Sequence, residues 1–239
     1  MLLATARRVL TQLRHDPRSI ALMVAVPSLL MVLLRYVFNS KLFFAHVAPA
    51  LLGFFPFFLM FLTTSVTMQR ERATGTLERL LTTPAAKLDI LAGYGLAFSV
   101  VAVIQVALAT GVCVWLGLTL VGSTEWLLLV AILNALLGVA LGLLASAFAR
   151  TEFQALQFTP VVVVPQLLLC GLFRARDSMA GALRLASDVM PLSYAVDALQ
   201  RVADAPSLGA HYWRDVAVLS GCVLTGLCLA AATLRRQTR

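Results

Sequence analysis

The sequence predicts an all-α membrane protein, and three observations lead to this class. Apolar residues fill 60% of the 239 positions, and the mean hydropathy of +0.90 is too high for an ordinary soluble domain. Charged residues make up only 13% and cluster between long apolar runs. Most of these runs reach the roughly 20 residues that a helix needs to cross a bilayer. Residues 1–239 are therefore expected to form one membrane domain in contact with the lipid bilayer.

Six transmembrane helices are predicted, with spans at residues 19–38, 47–68, 91–116, 126–148, 155–172 and 216–234. Residues 1–18 precede them and place leucines on one helical face and Arg7, Arg8 and Arg14 on the other, which predicts an N-terminal amphipathic interfacial helix. The fifth span is short for a full crossing unless it includes residues from Phe153 onward. Residues 173–213 interleave balanced charges with apolar residues, which predicts an outer re-entrant helical hairpin.

The chain carries a net charge of +8. This basic excess predicts how the chain is oriented in the membrane and does not indicate a nucleic-acid partner. Few charges lie outside the loops and no aromatic-basic patch occurs, so attraction to an anionic inner leaflet is the simpler account. Under the positive-inside rule both termini are expected in the cytoplasm, because the short outer segments then carry only Arg35 and Lys41. The inner segments carry Arg7, Arg8, Arg14, Arg18, Arg70, Arg72, Arg79, Lys87, Arg150, Arg235, Arg236 and Arg239.

Two features of the fourth span predict close contact between helices. Gly138, Gly142 and Ser146 recur every four residues and form a ridge of small side chains, which lets another helix approach closely. Asn134 lies on the same span and is expected to form a hydrogen bond to a neighbouring helix.

The segment from Met68 to Tyr94 is the charge-dense interior part of an otherwise apolar chain. Gly75 and Thr76 break the preceding helix, and Leu77, Leu80 and Leu81 follow at spacings of three and four residues, with Glu78 and Arg79 facing away. This pattern predicts a short amphipathic helix of about two turns. Its leucines would either rest on lipid or insert into the groove of a soluble partner, and the spacing leaves both alternatives open.

The same segment resembles the cytoplasmic loop of ABC type-2 transporter permeases, and within them the bacterial daunorubicin-resistance drug efflux branch. The residues that carry this resemblance are Arg70-Glu71-Arg72, Gly75-Thr76-Leu77-Glu78, Leu80-Leu81, Thr83-Pro84 and Gly93. The resemblance implies that residues 70–86 form a coupling loop whose cytoplasmic coupling helix docks on a separate ATPase subunit. The implied coupling residues are Glu71, Arg72, Gly75, Thr76, Leu77, Glu78, Leu80 and Leu81.

A second block near the last span also resembles this family. Gly171 and Phe173, followed by Met190-Pro191-Leu192-Ser193-Tyr194, are similar to the family's outer segment. Arg174 departs from the family pattern, which often has proline there. The resemblance therefore implies an outer re-entrant segment built around Pro191, Leu192, Ser193 and Tyr194.

The function implied by the resemblance is that of a permease subunit of an ATP-driven exporter in the bacterial cytoplasmic membrane. The chain lacks the G-x-x-x-x-G-K-[ST] phosphate loop, so no cofactor is expected on it and MgATP is expected on the partner ATPase. A second permease copy or paralogue is the other implied partner. The aromatic second span is either packing bulk or the lining of a path for a hydrophobic drug or lipid, formed by Phe54, Phe57, Phe58, Phe61 and Thr64.

Two alternatives from other classes compete with the permease. One is a membrane enzyme with a site around Asp188, Tyr194 and Asp197, although neighbouring arginines are expected to pair with these aspartates. The other is a scaffold subunit that transports nothing. Neither a catalytic nor a metal site is predicted, because the histidines are dispersed and the spans contain almost no ionisable groups.

Overall fold

The computed structural model describes residues 2–76 and 87–233, and every regular element in those two ranges is helical. The α-helices are α1 (Leu2–Arg14), α2 (Pro17–Phe38), α3 (Lys41–Ala73), α4 (Lys87–Trp115), α5 (Thr124–Ser146), α6 (Glu152–Leu169), α7 (Gly181–Val189), α8 (Pro191–Asp204) and α9 (Ala210–Thr233). A single 3₁₀ turn, Arg176–Ser178, lies between α6 and α7. The predicted all-α class is therefore confirmed.

Five of these helices are long and apolar enough to cross a membrane, at Ile20–Phe38, Lys41–Ala73, Asp89–Trp115, Thr124–Ser146 and Ala210–Thr233. α6, which contains most of the predicted fifth span, is not among them, because three glutamines and two prolines lower the hydropathy of its 18 residues. α3 has 33 residues and is about 50 Å long. It therefore extends beyond a hydrocarbon core of about 30 Å.

The bundle has two ends that differ in what they carry. We call the end where α3 finishes and α4 begins the loop end, and the opposite end, which carries α7 and α8, the hairpin end. At the hairpin end α8 packs against α3, α5 and α9. The amides of Val121 and Gly122 donate to the carbonyls of Ala203 and Val202, each at 3.0 Å. The turn between α4 and α5 thereby satisfies carbonyl groups at the end of α8.

α3 and α5 form the centre of the bundle and approach each other closely. A Cβ atom at Gly138 would overlap the carbonyl oxygen of Phe57, and one at Gly142 would lie 2.6 Å from the carbonyl oxygen of Phe61. Asn134 is fully buried and donates from Nδ2 to the carbonyl oxygen of Gly53 at 2.7 Å. The contact predicted from the small residues and the hydrogen bond predicted for Asn134 are both confirmed.

Replacing Gly138 with alanine is expected to lower the free energy of unfolding by about 1–3 kcal/mol, because the added methyl group must push the Phe57 backbone away. The measurement is denaturation with sodium dodecyl sulfate in mixed micelles. Gly221→Ala on α9 is the matched control, since a Cβ atom there meets nothing within 4 Å. The control is expected to leave stability unchanged or slightly raised. Equal effects of the two substitutions would contradict the close packing of α3 on α5.

Candidate functional site

A cluster of polar side chains joins α1, α3 and α4 at the loop end. Glu71, near the end of α3, is only 9% exposed. Arg8 on α1 donates from Nη2 to Glu71 Oε2 at 3.3 Å and also to the hydroxyl of Tyr94 on α4. Gln12 donates from Nε2 to Glu71 Oε1 at 3.4 Å. We call Arg8, Gln12, Glu71 and Tyr94 the loop-end cluster.

Helix geometry explains how α1 presents this cluster. Arg8 and Gln12 are four residues apart and therefore lie on one helical face. Thr5, also on α1, is buried. A Cβ atom at Gly93 of α4 would lie 2.6 Å from the Cβ of Thr5. Because Gly93 has no side chain, α1 lies directly on α4, and the guanidinium of Arg8 reaches to 5.9 Å from the centre of the Tyr94 ring.

A second contact at the loop end joins α3 to the start of α6. Arg70 donates from Nε and Nη2 to the two carboxylate oxygens of Glu152, at 3.0 and 3.1 Å. This hydrogen bonding, together with the positive charge of Arg70, holds the pKa of Glu152 below its ordinary value. Both side chains are well exposed, so water weakens the attraction within this ion pair.

The chain leaves α3 through a turn that requires glycine. α3 ends at Ala73, and the amide and hydroxyl of Thr74 both donate to the carbonyl oxygen of Arg70. Gly75 then adopts a φ of +71°, in the left-handed region that glycine favours. The predicted break at this glycine is confirmed. Of the coupling residues predicted from the sequence, Leu77, Glu78, Leu80 and Leu81 lie outside the described residues, whereas Glu71, Arg72, Gly75 and Thr76 lie within them.

The residues predicted to line a substrate path fall into two groups. Phe57, Phe61 and Thr64 are fully buried, and their backbone or side-chain atoms lie beside the glycines of α5. Phe54 and Phe58 are only partly buried, and their rings stack with centroids 5.8 Å apart and an interplanar angle of 9°. The two groups therefore lie in different surroundings although all five residues come from one helix.

The outer motif residues hold the hairpin end together. Pro191 occupies the first turn of α8, and the amide of Leu192 donates to Gln166 Oε1 on α6 at 3.3 Å. The hydroxyl oxygens of Ser193 and Ser187 are 3.1 Å apart. The hydroxyl of Tyr194 donates to the carbonyl oxygen of Asp188 at 2.6 Å. α6, α7 and α8 are thereby fastened to one another.

Asp188 and Asp197, which the enzyme alternative placed in a site, both accept hydrogen bonds from Arg176. Burial raises the pKa of Asp197, and the charge of Arg176 opposes that rise. The expected pairing of these aspartates with a neighbouring arginine is confirmed, and the enzyme alternative is not favoured.

Sequence reasoning missed the partners of the motif residues. The sequence places Arg8 on the polar face of the predicted interfacial helix and predicts no partner for Arg8, Gln12 or Tyr94. Arg8 and Glu71 are 63 residues apart in the chain. The four-residue spacing of Arg8 and Gln12 was the only local signal for this cluster.

The family follows from comparison with known proteins. A family model described as "ABC-2 type transporter" matches residues 2–202. The chain belongs to the ABC-2 type transporter family. The match identifies the broad family and does not specify the daunorubicin-resistance branch. The loop-end cluster and the outer motif both lie inside the matched range.

Three similar proteins show how much of a relative's length this chain covers. It is 25% identical over 192 residues to "Probable multidrug ABC transporter permease YbhR" and 28% identical over 169 residues to "Probable multidrug ABC transporter permease YbhS", both of Escherichia coli strain K12. It is 25% identical over 190 residues to "ABC transporter G family member 20" of Dictyostelium discoideum. These alignments cover 80%, 70% and 79% of this chain but only 52%, 45% and 26% of the relatives. The chain thus spans about half or less of the relatives it matches.

A double-mutant cycle of Arg8→Gln and Glu71→Gln is expected to give a coupling energy of about 1–3 kcal/mol, because the Glu71 carboxylate is shielded from water. The stability of the two single variants and the double variant would be measured by unfolding in mixed micelles. The matched control is the Arg70→Gln and Glu152→Gln cycle, whose exposed pair is expected to give a smaller coupling energy. A coupling energy near zero for Arg8 and Glu71 would contradict a strong interaction between them.

Proposed function

We propose that this chain is the transmembrane permease of an ATP-driven ABC exporter that moves a hydrophobic drug, a lipid or a similar compound outward. Membership of the ABC-2 family supports this proposal, as do relatives whose names describe multidrug ABC transporter permeases. The observation that carries it is the loop-end cluster, which joins three helices through the buried side chains of Glu71 and Tyr94, beside the loop between α3 and α4. MgATP would bind to a separate ATPase subunit, and this chain would carry no cofactor of its own.

The loop-end cluster gives the chain a means of transmitting movement from an ATPase. The ends of α3 and α4 flank residues 77–86, and Arg8 contacts both Glu71 and Tyr94. A force on this loop would therefore move α1, α3 and α4 as one unit. α3 is continuous over 33 residues and packs tightly on α5. Displacement at the loop end would thus reach the hairpin end and switch a path between inward and outward exposure.

Within this mechanism the coupling residues divide by role. Glu71 would join helices of the same chain, because it is buried and already accepts hydrogen bonds from Arg8 and Gln12. Gly75 would act as the hinge, given its left-handed conformation. Contact with the ATPase would then depend on the segment that follows the hinge, with Arg72 beside it. The coupling residues in the segment after the hinge are Thr76, Leu77, Glu78, Leu80 and Leu81.

The proposed topology has six crossings, with α6 as the fifth and α7 and α8 forming the outer re-entrant hairpin. Both termini would lie in the cytoplasm of a bacterium, at the loop end, and the chain would be inserted in the cytoplasmic membrane. The positive-inside rule supports this orientation, because Arg70, Arg72 and Arg150 lie at the loop end.

A second copy or paralogue of this chain would complete the substrate path. Phe54 and Phe58 are the better candidates for lining it, because they are not fully buried.

Cysteine labelling tests whether α6 crosses the membrane. In a variant with Cys113, Cys170, Cys222 and Cys228 replaced by alanine, single cysteines at Arg150, Ala180 and Glu125 are exposed to a membrane-impermeant maleimide. Arg150→Cys is expected to react from one side only, and Ala180→Cys from the other side together with the control Glu125→Cys. Reaction of Ala180→Cys from the same side as Arg150→Cys would refute the crossing by α6.

Two substitutions separate docking on the ATPase from transmission of its movement. Leu77→Asp is expected to abolish co-purification of the ATPase subunit, because a charge would replace an apolar docking contact. Glu71→Gln is expected to retain co-purification but to lower transport by about tenfold or more, as a loss of roughly 1.4 kcal/mol predicts. Transport would be measured with hydrophobic fluorescent drugs in inside-out proteoliposomes. Glu125→Gln, at the hairpin end, is the control and is expected to behave like the unmodified chain. Normal transport and normal co-purification in both variants would refute the coupling mechanism.

A further inference from the structure

A cavity of about 710 Å³ opens at the hairpin end, and its lining is charged. Its size lies within the range of ligand pockets, about 300–1,000 Å³. The walls come from the segment after α6 and from α7, α8 and α9, and they include Arg176, Asp188, Asp197, Arg201 and Arg214. The transport mechanism proposed above makes no use of this cavity.

Around Arg176, the lining of the cavity carries more negative than positive charge. Arg176 donates to both Asp188 and Asp197, so two carboxylates share a single guanidinium. Asp188 is half-exposed. An ionised carboxylate accepts several hydrogen bonds, so Asp188 retains acceptor capacity for a further donor.

Around Asp215, the lining carries more positive than negative charge, because two guanidinium groups share this one carboxylate. Asp215 is fully buried at the start of α9, and its Oδ1 accepts from Arg214 at 3.0 and 3.2 Å. Arg201 Nε lies 3.8 Å from Asp215 Oδ2, too far for a hydrogen bond. Both arginines are about half-exposed and keep donors available for an anion.

The surroundings of Tyr194 favour a primary over a quaternary ammonium group as the ligand of Asp188. Its hydroxyl is occupied by the carbonyl of Asp188, and the guanidinium carbons of Arg176 and Arg214 lie 5.5 and 6.0 Å from the centre of its ring. Two cations therefore already lie near the ring that a quaternary ammonium would contact. A primary ammonium can instead donate hydrogen bonds to Asp188, which a quaternary ammonium cannot.

The surroundings of the cavity are those of a membrane interface. Trp126, Tyr212 and Trp213 form edge-to-face pairs 5.3–6.2 Å apart at this end of the bundle, the residue types that lie at the level of lipid headgroups. On α7, Asp188 faces the cavity, whereas Leu185 and Val189, four residues apart on another face, are exposed. An apolar surface thus lies beside a cavity with charges of both signs.

We propose that this cavity binds the headgroup of a phospholipid that carries both a phosphate and a primary ammonium group. The phosphate contacts Arg201 and Arg214, the ammonium contacts Asp188, and an acyl chain lies against Leu185 and Val189. This binding site goes beyond the proposed export function and does not depend on it, because lipid binding is measured without the ATPase.

Native mass spectrometry of the full chain in detergent, with phosphatidylethanolamine, phosphatidylcholine and phosphatidylglycerol of identical acyl chains, tests the proposal. Phosphatidylethanolamine is expected to bind most tightly. Arg201→Gln is expected to lower the affinity for all three lipids about tenfold, because one charge-assisted hydrogen bond is lost. Asp188→Asn is expected to lower the affinity for phosphatidylethanolamine to that for phosphatidylcholine. The affinity for phosphatidylcholine is expected to stay unchanged. Each substitution leaves the shared group, Asp215 or Arg176, with its other partner.

The controls separate a headgroup site from unfolding and from a site for a free zwitterion. Arg150→Gln, at the loop end, is expected to bind all three lipids as the unmodified chain does, and Arg201→Lys is expected to restore the binding lost in Arg201→Gln. Glycerophosphoethanolamine, which has no acyl chains, is expected to compete weakly. Equal binding of the three lipids, or no change in Arg201→Gln and Asp188→Asn, would overturn the proposal. Tight binding of the chain-free compound would show a soluble ligand instead of a lipid.

Discussion

The close approach of α3 and α5 is the contact on which the positions of the other helices depend. Together these two helices touch α2, α4, α6, α8 and α9. In a bilayer the hydrophobic effect does not distinguish a neighbouring helix from lipid, so association relies on short-range packing and hydrogen bonds. Gly138 and Gly142 permit that packing, and Asn134 adds a buried hydrogen bond to Gly53. Larger residues at the two glycines would separate α5 from α3 and displace every helix that rests on them.

Ion pairs connect the helices at the two ends of the bundle, whereas close packing connects them in its middle. Ion pairs are less costly where water is near, and the described ion pairs indeed lie at the loop end or at the hairpin end. α3 packs closely on α5 along its middle, and the ion pairs at its loop end join it to α1 and α6.

α6 illustrates how polar residues in an apolar helix can serve packing. Its prolines and glutamines make it less apolar than the five helices that meet the criteria for a span. One of those glutamines, Gln166, accepts a hydrogen bond from the amide of Leu192, at the start of α8. Amides in the first turn of a helix have no partner within it, so Gln166 satisfies a group that lipid would leave unsatisfied. The lower hydropathy of α6 therefore follows partly from its contact with the hairpin end.

The sequence by itself determined the all-α class, the presence of long apolar helices, the small-residue ridge of α5, the hydrogen-bonding role of Asn134 and the break at Gly75. These features are local, because helix periodicity and backbone preference depend on neighbours within a few residues. Only the tertiary structure decided that Arg8 pairs with Glu71, that Gly93 receives α1, and that Arg176 joins Asp188 to Asp197. Several apolar faces of similar composition were available to each helix, and several arginines to each carboxylate. The spacing of residues along the chain does not choose among them, because the choice depends on which helices fit closely enough in three dimensions to bring those side chains together.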